Sequence, residues 1–243
     1  MPNEPSPASA AVQEDGALQF MRAFRDPEAV ARYTDGPRRF VPGLEALHAM
    51  TAILLAEHAP ADARVLVLGA GGGLEMRALA QAQPGWRFVG VDPAGPMLDL
   101  AARTLGEDAH RAQLIEGYID DAPEGPFDAA ACLLTLHFLD FDERVRTLGQ
   151  IHRRLRAGAP FVAAHGSFPQ AGEDKARWLS RYAAYAVANG VEPQMAENAR
   201  AAVATAVNML APDRDEAALV AGGFGEVELF FAAFTWRGWV ARA

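Results

Sequence analysis

Cysteine is almost absent: Cys132 stands alone among 243 residues. An intrachain disulfide is excluded, and nothing calls for an oxidising compartment. Basic residues are scarce as well. The 22 Lys and Arg face 31 Asp and Glu, a formal net charge of -9. Such a chain has no general attraction for phosphate backbones, so nucleic acid is a poor partner. The 6 histidines are scattered, and none sits at metal-ligand spacing from a cysteine or carboxylate, so no metal is expected. The start of the chain has neither the basic segment nor the apolar segment of a signal peptide. No apolar run approaches membrane-spanning length. A cytoplasmic protein is the expectation.

What is present reads as one domain with a tail. Residues 1–16 are rich in Pro, Ala, Ser and acids and predict a disordered tail. Residues 17–243 predict a single domain. Helical spacing of Leu44, Leu47, Met50, Ile53 and Leu54 predicts a helical cap over 17–60. Short apolar runs then alternate with helical patterns. The runs are Arg64 to Leu68, Arg87 to Val91, Leu114 to Glu116, Phe127 to Leu134 and Pro160 to Ala164. The helices between them include Leu74 to Gln83, Met97 to Leu105 and Glu143 to Leu155. This alternation predicts an α/β fold with a mostly parallel sheet covered on both faces. The rhythm breaks in a helical insertion over 166–212, with a turn at Asn189-Gly190. Val227 to Phe234 and Trp236 to Ala241 predict a closing antiparallel hairpin.

The chemistry points to Val65-Leu66-Val67-Leu68-Gly69-Ala70-Gly71-Gly72-Gly73. A strand ending in Gly-x-Gly-x-Gly lets backbone approach a nucleoside closely. The following helix brings free N–H groups and the positive end of its dipole to the same place. Dinucleotide sites favour Gly-x-Gly-x-x-Gly, and Leu74 occupies that third position here. A second strand, Val89-Gly90-Val91-Asp92, ends in an acid suited to two ribose hydroxyls or to capping the next helix. Loop and acid alone leave NAD open.

Further segments carry a resemblance. Gly117-Tyr118-Ile119-Asp120, the run Phe127 to Leu139 with its trailing Leu136-His137, Leu155-Arg156-Ala157-Gly158-Ala159 and Ala221-Gly222-Gly223-Phe224 stand in order along the chain. Together with the glycine loop they resemble the class I methyltransferases. The resemblance implies a Rossmann-like seven-stranded sheet, S-adenosyl-L-methionine (SAM) as cofactor and S-adenosyl-L-homocysteine as product. It implies cofactor contacts from Gly69, Ala70, Gly71, Gly73, Asp92, Pro93, Met97, Gly117, Tyr118, Ile119, Cys132 and Leu133. It implies a small-molecule methyl acceptor as partner and leaves a homodimer open. The family usually carries an acid where this chain has Val67. Glu75 is a candidate replacement, with a plainer role as a first-turn helix acid.

The flanks are similar to carboxy-S-adenosylmethionine synthases, enzymes of tRNA modification. Val41-Pro42-Gly43, Ala188-Asn189-Gly190 and Glu228-Leu229-Phe230-Phe231 carry that likeness. The arginine, tyrosine and asparagine that the resemblance would place around the carboxylated cofactor are Val187, Leu44 and Leu133 here. A carboxylate left without its bidentate partner loses several kcal/mol, so ordinary SAM is expected. His137 is the foremost candidate base and His165 the second. Each has an alternative as a packed structural histidine. Trp178, Tyr182 and Tyr185 are candidates for an acceptor pocket, and Arg38 and Arg39 for an anionic acceptor. Small-molecule methyl transfer leads. A carboxy-SAM synthase-like enzyme, a SAM-binding protein without turnover and a nicotinamide oxidoreductase remain alternatives.

Overall fold

The computed structural model describes Phe24, Asp26, Val30 and residues 35–243. The expected tail and the first part of the helical cap lie outside the described residues. Within residues 35–243 the first helices are α1 (Gly36–Phe40) and α2 (Leu44–Ala56). The alternating core follows with β1 (Arg64–Leu68), α3 (Leu74–Ala82), β2 (Arg87–Asp92), α4 (Gly95–Leu105) and β3 (Ala112–Glu116). Next come β4 (Ala129–Leu133), α5 (Phe141–His152) and β5 (Pro160–Gly166). The insertion forms α6 (Gly172–Ala188) and α7 (Pro193–Ala206), and the chain closes with α8 (Pro212–Ala221), β6 (Gly225–Ala233) and β7 (Trp236–Arg242).

The 7-stranded sheet has the order β3-β2-β1-β4-β5-β7-β6. Strands β1 to β5 pair in parallel, and β7 runs antiparallel to both β5 and β6. The Ala-rich strands β4 and β5 are buried throughout, as strands covered on both faces must be. Alternate residues go to opposite faces. Val65, Val67, Ala129 and Ala131 meet α2, α3 and α4 in one core through Leu47, Leu79 and Leu98. Leu66, Leu68, Ala130 and Cys132 meet α5 and α8 in the other through Leu148 and Leu219. The result is a three-layer stack.

Several boundaries differ from the sequence pattern. Strand β3 begins earlier, at Ala112, because it pairs with β2 along its whole length. The apolar run ending at Leu134 stops pairing at Leu133, because Leu134 turns to φ 56°. Helix α5 starts at Phe141, where the Asp140 side chain accepts the Glu143 N–H. No described helix is long and apolar enough to cross a membrane.

Sequential crossovers run outward from β1 to β3 on one side and from β4 on the other. The gap between β1 and β4 is therefore the topological switch point, where ligands bind beyond the carboxyl ends of the strands.

Candidate active site

The loop after β1 and the end of β2 build one wall of this crevice. The Gly69 and Ala70 N–H groups donate to the Val91 carbonyl at 2.8 and 3.1 Å. Asp92 Oδ2 accepts the Gly71 N–H at 2.9 Å, and Oδ1 accepts the Ala94 N–H at 2.9 Å. The carboxylate thus holds the loop and starts α4 at once. Gly69 (φ +73°) leaves no room for a side chain, since a Cβ there would lie 1.9 Å from Thr135 Oγ1. Gly73 (φ +77°) brings α3 against α4, where a Cβ would meet Ala101 Cα at 2.8 Å.

A cavity of about 1240 Å³, its open mouth included, fills the crevice. Its lining is mostly apolar. Of the residues expected from the sequence, Gly69, Gly71, Asp92, Pro93 and Met97 line it on the β1–β2 side. Gly117, Tyr118, Ile119 and Leu133 line it beyond β3 and β4. Tyr118 is exposed and stands at the mouth.

Ala70, Gly73, Cys132 and His137 are not on the cavity wall. Cys132 is fully buried in the opposite core, where burial pushes its thiol up. His137 is buried beside the cavity. Its Nδ1 accepts the Gly166 N–H at 3.3 Å, and its ring packs edge-on to Trp236. Burial, then the neighbouring His165 and Arg144, push it down to about 3, so it stays neutral. His165 belongs to another cluster, with Nε2 3.0 Å from Asp215 Oδ1. Arg144 bonds the same carboxyl and also donates to the Leu139 and Asn208 carbonyls. Burial pushes the Asp215 carboxyl up, but His165 and Arg144 outweigh it and hold it below the usual range.

Trp178, Tyr182 and Tyr185 also stand away from the cavity. Tyr182 stacks on Phe40, and Trp178 lies under the Arg181 guanidinium. Exposed Arg38 pairs with Glu45 at 3.1 Å, and Arg39 reaches the Gly190 carbonyl. The insertion docks beside His137, whose carbonyl accepts the Asn208 N–H at 2.8 Å.

Two wall residues carry chemistry that the sequence pattern understated. Glu75, in the first turn of α3, is buried and faces the cavity. Burial and the nearby Asp92 push its carboxyl up to about 8, against its own backbone N–H, which lowers it. Val67 is fully buried among apolar neighbours, and Glu75 brings a carboxyl to the cavity wall from α3. The second residue is His48 of α2, flanked on the wall by Leu44 and Phe138. A histidine within an apolar helical stripe was its only signal.

The comparisons agree with this geometry. Residues 66–161 match the family model described as a methyltransferase domain. Over that span the chain matches a methyltransferase domain, and its fold is that of the class I methyltransferases. SAM is the methyl donor of this domain class. Among curated relatives, the carboxy-S-adenosyl-L-methionine synthase of Chromohalobacter salexigens is 28% identical over 89% of this chain and 82% of its own length. The synthase of Pseudomonas fluorescens is 26% identical over 90% of this methyltransferase and 92% of its own length. Among solved structures, the pyocyanin biosynthetic protein PhzM superposes with a TM-score of 0.65 at 20% identity, over 93% of this chain. Human N-acetylserotonin methyltransferase in complex with SAM gives 0.61 at 12% identity, over 96% of this chain. This methyltransferase spans only 61% and 65% of the length of those two proteins. They show the fold.

The residues present fit the cofactor. Each Asp92 oxygen accepts one backbone N–H and keeps lone-pair capacity for a ribose hydroxyl. Glu75 offers a carboxyl suited to a cation, and the glycine loop leaves bare backbone beside it.

Proposed function

We propose that this enzyme methylates a small-molecule acceptor with SAM in the cavity between β1 and β4. The supporting observation is the cavity's mixed lining. Asp92, Glu75 and the glycine loop supply polar groups. Leu44, Leu134, Phe138 and Leu139 supply apolar surface, with Phe24 packed edge-on to Phe138 at 6.3 Å. In this reading Asp92 holds the ribose, and Pro93, Met97, Gly117, Tyr118 and Ile119 surround the adenine. Glu75 balances the positive charge of the donor.

Bound SAM supplies a sulfonium methyl whose leaving group is already good. Positioning and exclusion of water by the apolar wall then contribute much of the rate. The scarcity of cysteine and the acidic balance support a cytoplasmic setting.

The curated relatives favour a second reading, synthesis of carboxy-SAM. Leu44 and Leu133 line the cavity but offer no polar group. Val187 sits on α6, 41% exposed and off the wall. An added carboxylate would meet acids rather than a free cation: Arg146 reaches the wall, but Asp120 and Glu143 already bond it.

Titration calorimetry with SAM, S-adenosylhomocysteine and NAD tests the cofactor. Heat with the first two and none with NAD is expected. Absence of SAM binding by folded protein would overturn the reading. Mass spectrometry of the nucleoside product then separates methyl transfer from carboxy-SAM synthesis.

A further inference from the structure

Most of the described arginines already have an occupation. Arg38, Arg146, Arg153 and Arg200 pair with carboxylates. Arg64, Arg181 and Arg214 lie over aromatic rings. Among the described residues, the arginine side chains without ion pair, hydrogen bond or ring contact are those of Arg77, Arg87 and Arg103. Acids outnumber bases in this chain, yet Arg77 and Arg103 stay unpaired and line one and the same cleft.

Local structure brings them together. Leu74 and Arg77, three residues apart, share a face of α3, and Leu100 and Arg103 share a face of α4. Gly73 lets the two helices approach closely, so these faces flank a common groove. The start of α1 closes one side with Asp35 and Arg38. The cleft holds about 730 Å³, its open mouth included. Leu74 stands between it and the cavity of the β1–β4 crevice and lines both.

The lining selects an anion. Arg77 and Arg103 offer whole guanidinium forks. Arg38 gives its Nε to Glu45 at 3.1 Å and keeps its two terminal amino groups. Three guanidiniums outweigh Asp35, the one carboxylate of the lining, and the Thr104 hydroxyl adds a neutral donor. A guanidinium fork matches the oxygens of a phosphate in bidentate fashion. Leu74 and Leu100 add apolar surface beside the charges, which suits an organic body attached to the phosphate. A nucleic acid fits worse, because three cations on a chain of net charge -9 attract a polyanion weakly.

We propose that this cleft is a second ligand site, which binds the phosphate group of a small organic phosphate ester through Arg77, Arg103 and Arg38. The organic part lies on Leu74 and Leu100. The site stands outside the methyl-donor cavity and does not depend on the reaction run there.

Titration calorimetry on the full chain at fixed ionic strength tests it, with phenyl phosphate, inorganic phosphate and a short single-stranded DNA as probes. Phenyl phosphate is expected to bind, and inorganic phosphate about threefold more weakly for want of an apolar body. Arg77→Gln and Arg103→Gln should each weaken phenyl phosphate about fivefold or more, and the double variant further. Arg87→Gln removes the third unpaired arginine, at the start of β2 and outside the cleft, and should bind as wild type does. Circular dichroism should be unchanged in all, since these are surface substitutions. Absence of phenyl phosphate binding to wild type overturns the site. So does undiminished affinity in the double variant, or an equal loss in Arg87→Gln, which would mark unspecific charge attraction. Inorganic phosphate binding as tightly as phenyl phosphate overturns the ester and makes the free ion the ligand. Binding of the DNA alone overturns the small ligand.

Discussion

Asp92 Oδ2 accepts the backbone N–H of Gly71 across 2.9 Å, so the acid that ends β2 holds the loop that ends β1. The same carboxyl, through Oδ1, starts the next helix at Ala94. One side chain therefore shapes the cavity before any ligand arrives.

Replacing Asp92 tests both duties. Asp92→Ala is expected to weaken SAM binding by about 1–3 kcal/mol, from lost hydrogen bonds to ribose and a loosened loop. Asp92→Asn keeps one carbonyl oxygen as an acceptor and should fall between wild type and the alanine variant. Calorimetry measures both, and an affinity equal to wild type for Asp92→Ala would remove the ribose role.

Glu75 predicts a proton balance. With its carboxyl at about 8, it is mostly protonated at pH 7. A cationic donor favours the carboxylate, so binding should release a proton and affinity should rise as pH approaches 8. Calorimetry in two buffers of different ionisation heat reads this directly. Wild type should show buffer-dependent heat, and Glu75→Gln should not. Stability follows the opposite sign. The folded value lies above the ordinary 4.5, so the folded state holds a proton that the unfolded chain releases. Stability is therefore lost as pH rises from 4.5 towards 8. Glu75→Gln should melt higher than wild type at pH 8 and gain less at pH 4.5.

Gly69 is expected to tolerate no side chain. Gly69→Ala places a Cβ into Thr135 at a positive φ. Left-handed backbone alone costs roughly 1–2 kcal/mol for alanine, with the clash added. Thr135→Gly in the same chain should relieve the clash and leave the backbone cost. Chemical denaturation of the single and double variants measures the two parts, and an undiminished single variant would refute the close approach.

The Arg144–Asp215 pair is expected to act on stability rather than on chemistry. Both side chains are buried, and the carboxyl is shared with His165. Asp215→Ala leaves a buried guanidinium without its partner, which costs about 3–5 kcal/mol. His137→Leu, next in sequence to the wall residue Phe138, should likewise lower the melting temperature while SAM affinity in the folded protein stays near wild type. A variant of either residue that keeps full stability but loses binding would place it in the site instead.

The donor half of the cavity was legible before folding because it is local. Gly69, Gly71 and Asp92 sit at strand ends, where a short pattern specifies both backbone shape and charge. Gly117, Tyr118 and Ile119 were expected from the family resemblance alone, and the cavity wall includes them. The acceptor half was not legible, because its residues come from separate elements. His48 reads in sequence as one polar residue in an apolar helical stripe. His137 reads as a base at the mouth of β4, yet its ring turns towards Gly166 and Trp236.

Sequence alone determined the alternation of strands and helices, the closing hairpin, the glycine loop and its acid. Each rests on periodicity or spacing over a few residues, which the chain carries whatever its neighbours do. Tertiary structure alone decided which titratable groups meet at the cavity. Packing α2 and α3 on one face of the sheet brings His48 and Glu75 to the cavity between β1 and β4. Docking the insertion and α8 buries His137 and His165 away from it. Burial and orientation depend on contacts distant in sequence, and no local pattern records which way a side chain will face.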